Sequence, residues 1–72
     1  MSVFSKNIGY KFRLIFRDGS EVEGHVIAYW KVNVYDDLAM VVTSKGVIVI
    51  NNGVSKQYID EDKVIKYDII YD

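Results

Sequence analysis

Apolar side chains recur at every second position in Phe12, Leu14 and Phe16, with Lys11, Arg13, Ile15 and Arg17 among and after them. A strand points alternate side chains to opposite faces, so this spacing predicts a core face and a mostly charged face. Asp18-Gly19 follows at once. A two-residue hairpin loop needs positive φ at both positions, which Asp tolerates and Gly accepts. The return strand alternates again, with Val22, Gly24, Val26 and Ala28 on the core side and Glu21, Glu23, His25 and Ile27 on the other. Lys11, Arg13 and Arg17 then oppose Glu21 and Glu23. Exposed pairs of this kind contribute about 0.2–1 kcal/mol each, enough to favour a register but not to carry a fold. Gly24 sits mid-strand, where glycine marks a bend, a bulge or a close backbone approach.

Beyond this hairpin the pattern changes. Tyr29-Trp30-Lys31 is rich in strand formers, whereas Asn33 and Asp36-Asp37 favour turns. The expectation is a strand to about Lys31, a change of direction near Asn33 and a turn at Asp36-Asp37. Leu38–Thr43 reads as the next strand, and its nearly unbroken apolar run predicts burial on both faces. Ser44-Lys45-Gly46 reads as a short hairpin loop before a second apolar run, Val47–Ile50. Asn51-Asn52-Gly53 supplies the Asn-Gly hairpin signal. With Asn52-Gly53 as a two-residue turn, Ile50 faces Ser55, Val49 faces Lys56 and Ile48 faces Gln57. Asp60 is placed to cap a short 3₁₀ turn through Lys63. The last strand, Val64–Tyr71, carries Ile65, Tyr67, Ile69 and Tyr71 on one face. Residues 1–9 read as a short tail or a single helical turn capped by Ser5 and ended by Gly9. About six short strands joined by tight turns predict an all-β fold, a small, strongly bent antiparallel barrel of five to six strands.

The 72-residue length fits one domain, 1–72, with one small core. Half of the residues are hydrophobic, which supplies that core and argues against disorder. There is no Cys, so neither disulfides nor thiolate metal sites are available. No apolar run approaches the roughly 20 residues of a membrane span, and a cytoplasmic protein is the default expectation. The net charge of −1 gives no bulk cationic surplus for non-specific binding to phosphates. Any nucleic-acid site must therefore be local and rely on stacking and hydrogen bonds.

Lys11 to Ile59 resembles the Sm-like family, including its Hfq-like branch. The first motif is a strand, an Asp-Gly turn, a Gly in the second strand and an Asn beside the next loop: here Asp18-Gly19, Gly24 and Asn33. The second is an apolar strand, a Gly-containing polar turn and a short strand: here Val47–Ile50, Asn51-Asn52-Gly53 and Val54–Ile59. The family's Asp before the Asn is absent, with Tyr29-Trp30-Lys31 in its place, and Asn51 stands at its second-motif Arg. The Asp60–Lys63 turn before a last strand is equally similar to SH3-like barrels. The Sm-like resemblance implies homo-oligomeric rings built by strand addition, with RNA bases or a nucleotide held at loops. By position, Tyr29, Trp30, Lys31 and Asn33 would line one loop and Asn51, Asn52 and Gly53 the other. The SH3-like resemblance implies a protein-interaction module instead, such as a small adaptor or inhibitor from a virus or mobile element.

The chemistry-bearing residues each have a competing ordinary role. Tyr29-Trp30 beside Lys31 suits base stacking; alternatively one ring fills the core and the other covers a strand edge. His25, the one His, lies on a charged strand face and reads as a surface residue, since the sequence shows no catalytic partner for it. Asp36-Asp37 and Asp60-Glu61-Asp62 lack the spacing of a calcium loop and fit turns. No Gly-rich phosphate loop and no hydrolase signature is present. No enzyme activity, cofactor or metal is expected. Tyr58, Tyr67 and Tyr71, with Ile69 and Ile70, are candidates for an apolar outer patch.

Overall fold

The computed structural model describes residues 2–71. A helical turn, α1 (Val3–Lys6), precedes β1 (Lys11–Phe16), β2 (Glu21–Asp36), β3 (Val41–Asn51) and β4 (Lys56–Asp60). A 3₁₀ turn, Glu61–Lys63, leads to β5 (Val64–Ile70). Five antiparallel strands form one sheet in the order β4-β3-β2-β1-β5. The sheet is strongly curled but open, because β4 and β5 are its two edges.

The core follows the alternation in β1. Phe12 and Leu14 are fully buried, together with Val26 of β2 and Ile48 and Ile50 of β3. Burial of such side chains is worth about 1.5–3 kcal/mol each. Gly24 allows the curl: a Cβ there would stand 2.6 Å from Ile50 Cγ2 and 2.7 Å from the Asn51 carbonyl oxygen. Phe4 of α1 closes one end of the core, with its ring 5.2 Å from Phe12 and 5.5 Å from Tyr67. The helical turn is capped by Ser2 rather than Ser5, because the Ser2 hydroxyl both accepts from Phe4 N–H and donates to Glu61. Gly9 lies beyond the helix, which Asn7 caps at its C-terminus, and its N–H donates to the Val26 carbonyl instead.

Three turns differ from the sequence expectation. The first hairpin turns over Arg17-Asp18-Gly19, with Gly19 alone at positive φ (+88) and Asp18 Oδ1 accepting from the Ser20 N–H and hydroxyl. Those bonds hold the Asp18 carboxyl below its ordinary range. The Asn-Gly turn is wider than two residues. Asn51 pairs with Lys56, Ile50 with Gln57 and Ile48 with Ile59, because Asn52 Oδ1 accepts from both Val54 and Ser55 N–H and stabilises a four-residue loop. The shift is two positions, so every side chain keeps its expected face.

The third difference is the largest. Ser44-Lys45-Gly46 is not a loop, and the chain does not change direction at Asn33. β2 and β3 continue past both as one long ribbon, pairing Lys31 with Gly46, Val32 with Lys45 and Asn33 with Ser44. The turn falls at residues 37–40, where Asp36 Oδ1 accepts from Leu38 and Ala39 N–H and Met40 adopts φ 58. Leu38–Val42 is therefore exposed rather than buried on both faces; Leu38 is 98% accessible and Met40 73%. The ribbon lengthens the molecule to 45 Å against 25 and 23 Å in the other directions.

Candidate nucleic-acid interface

One irregularity decides which aromatic ring meets solvent. Val26 pairs with Ile50 but Ala28 with Val49, so Ile27 is an extra residue in β2. A bulge of this kind reverses the alternation beyond it. Without it Ala28 and Trp30 would face the core; with it Tyr29 does, and Trp30 points outward. Ile27 is left exposed.

Tyr29 is committed to the interior. Its ring lies 6.4 Å from Phe4, and its hydroxyl donates to Glu61 Oε1 at 2.7 Å. Ser2 Oγ donates to the other Glu61 oxygen at 2.8 Å. Burial, and then the Glu61 carboxylate, holds the Tyr29 phenol above its ordinary value. Gly46 leaves the space for this link, since a Cβ there would collide with both the Tyr29 hydroxyl and Glu61. Glu61 thus joins α1, β2 and the 3₁₀ turn, and its acidity suits the first turn of that element.

Trp30 lies on the opposite face of the sheet. Its ring is 6.2 Å from Tyr58 of β4 at an interplanar angle of 58°. Trp30 is 41% accessible and Tyr58 65%. Val49, the cross-strand partner of both Ala28 and Tyr58, is buried yet stands apart from the core cluster. Trp30 and Tyr58 are positioned to roof it from outside. Lys45 and Asp60 form an ion pair on this face at 3.0 Å.

The residues singled out from the sequence are therefore divided. Trp30 and Asn51 share the outer face, Tyr29 points into the core, and Lys31 and Asn33 lie on the inner side of the ribbon. Tyr29, Trp30, Lys31 and Asn33 occupy a strand rather than a loop. Asn51 ends β3, with Asn52 and Gly53 in the loop after it. Lys31 pairs with Gly46, five positions from Asn51, so the two groups are about 17 Å apart at strand rise. Both Asn side chains are already engaged: Asn51 Oδ1 accepts from Gly53 N–H, and Asn52 Oδ1 closes the turn. The tyrosines do not form one patch either. Tyr58 packs on Trp30, Tyr67 on Phe4 and Phe12, and Tyr71 on Tyr10. Tyr58 itself carried a sequence signal, as the exposed alternate of Ile59, but its partner depended on the unread register.

The described residues hold no cluster of three or more metal-ligating side chains. An open cleft of about 470 Å³ is lined by Phe16, Arg17, Asp18, Ser20, Asp62 and Lys63. It mixes both charge signs beside the Phe16 ring. No helix of the described residues is long and apolar enough to cross a membrane.

No family model matches the sequence, and no curated protein matches it. Among solved structures, the chain is similar to XC5848 from Xanthomonas campestris, described as adopting a novel variant of the Sm-like motif. The match has a TM-score of 0.72 and covers 88% of this chain and 71% of that one, at 19% identity. The fold is Sm-like. At this identity the likeness speaks for the fold alone.

Proposed function

We propose that this Sm-like chain is a non-catalytic module that binds single-stranded RNA or a nucleotide ligand at its surface and assembles with copies of itself. The observation that carries the binding reading is the solvent-facing Trp30–Tyr58 pair. A large indole is left in water beside a second ring, although the core it could have joined lies one residue away. Exposed aromatic faces stack bases of any sequence, contributing about 1–3 kcal/mol per base. That suits a chain with no cationic surplus.

Assembly is supported by the sheet's two free edges. β4 and β5 each present an outer backbone row with no strand beside it among the described residues. Head-to-tail pairing of one copy's β4 with another's β5 repeats a heterologous contact, and a contact of that type closes into a ring when its rotation permits. Edges left open invite such pairing.

The second reading, a protein-interaction module, is favoured by the ribbon tip. Tyr35, Leu38, Met40, Val41 and Val42 are all exposed there, a larger apolar surface than scattered side chains provide. Filter binding to oligo(U) and oligo(A) at low salt separates the two. Retention of either oligonucleotide supports the first reading, and absence of retention for both removes it.

A further inference from the structure

The strand register gathers a second set of groups beside Trp30 and Tyr58. His25 pairs with Asn51, and Asn51 with Lys56, so these three side chains form one row across β2, β3 and β4. Asn51 shares the parity of Val49, and Lys56 that of Tyr58, which places the row on the outer face. Along β4, Lys56 and Tyr58 are therefore successive residues of that face. Ring, amide, imidazole and ammonium stand within about 5 Å of their neighbours across strands and about 7 Å along them.

Resting on the nucleic-acid reading above, we infer that the binding surface is the outer face of the β2-β3-β4 sheet, and that its ligand is a short single strand of nucleic acid laid across the strands. Trp30 and Tyr58 supply stacking surfaces over the buried Val49. Lys56 has no ion-pair partner among the described residues and is free to meet a phosphate. The Asn51 Oδ1 is used by Gly53, but its amide N–H groups are left to donate to a base edge or a phosphate. His25 is exposed at the end of the row. A duplex is a poor fit, because its bases are already stacked and its phosphates demand more positive charge than one free lysine supplies. Lys31 and Asn33 face the other way and take no part.

The test is a Trp30 fluorescence titration of the full chain with short oligo(U) and oligo(A), combined with filter binding of variants. Tyr58→Ala is expected to weaken binding about ten- to a hundredfold, the loss of one stacked base. Lys56→Ala is expected to lower the slope of log affinity against log salt by about 0.7, one single-strand phosphate contact. Lys31→Ala and Asn33→Ala are expected to bind as the parent does. Trp30→Phe serves beside Trp30→Ala as a variant that retains a ring over Val49, and circular dichroism confirms folding. Normal binding by Tyr58→Ala and Lys56→Ala, with loss in Lys31→Ala or Asn33→Ala, overturns the outer face while leaving the nucleic-acid reading intact. No binding of either oligonucleotide by the parent chain overturns both, as does capture of an extended peptide on this face in place of nucleic acid.

Discussion

At the residue scale the most consequential group is Glu61, which takes hydrogen bonds from Tyr29 and Ser2. Tyr29→Phe leaves one carboxylate oxygen without its donor and is expected to cost about 1–2 kcal/mol, measured by urea denaturation. The same substitution tests the pH dependence. An unfolded phenol ionises near 10.0, whereas the folded Tyr29 phenol ionises higher. The stabilisation of its neutral form is therefore complete below pH 10 and declines as pH rises through the folded value. Tyr29→Phe should remove that part of the alkaline loss. Gly24→Ala places a Cβ against the Asn51 backbone and Ile50, and is expected to lower stability by about 1–3 kcal/mol. An unchanged denaturation midpoint would show that β2 and β3 separate there without penalty.

At the element scale, β1 and the first half of β2 were legible because their alternation is undisturbed. Phe12, Leu14 and Val26 are buried as their positions dictate. The ribbon was not legible, because turn-forming residues mislead where a partner strand satisfies them: Asn33 and Ser44 simply pair with each other. The apolar run Leu38–Val42 reads as core in any local window, yet it lies at a tip beyond the reach of the body. Part of the candidate site was visible as residue types, Trp30 above all. Its facing was hidden, since one extra residue at Ile27 exchanges Tyr29 and Trp30 between core and solvent. Isolated two-stranded ribbons are marginally stable. Amide hydrogen exchange in 32–45 is accordingly expected to be faster than in Val47–Ile50, which is flanked on both sides. Leu38→Asp should change global stability by no more than about 0.5 kcal/mol. Protection of 32–45 equal to that of the core would mean that the ribbon is covered in solution.

At the scale of the whole molecule, the chain is a curled sheet with an arm. Its radius of gyration is 13.2 Å, against about 11 Å for a compact domain of this length. The added dimension is the ribbon, and the body beneath it is small. Such a body has a limited core, so pairing of its edges with further strands would extend both the hydrogen-bonded sheet and the buried surface. The sequence pointed to an Sm-like or SH3-like plan through its turn spacing, and the fold resolved this as Sm-like. What turn spacing could not express is which edges remain open, because edge pairing is a property of the folded sheet and not of any local segment. If β4 and β5 are joining surfaces, the solution mass follows from them directly. Multi-angle light scattering of the purified full chain is predicted to give several times the mass of one chain at micromolar concentration, falling when a proline is placed in β4 at Lys56, whose N–H faces the open edge. A mass of one chain across the accessible concentration range would contradict the account.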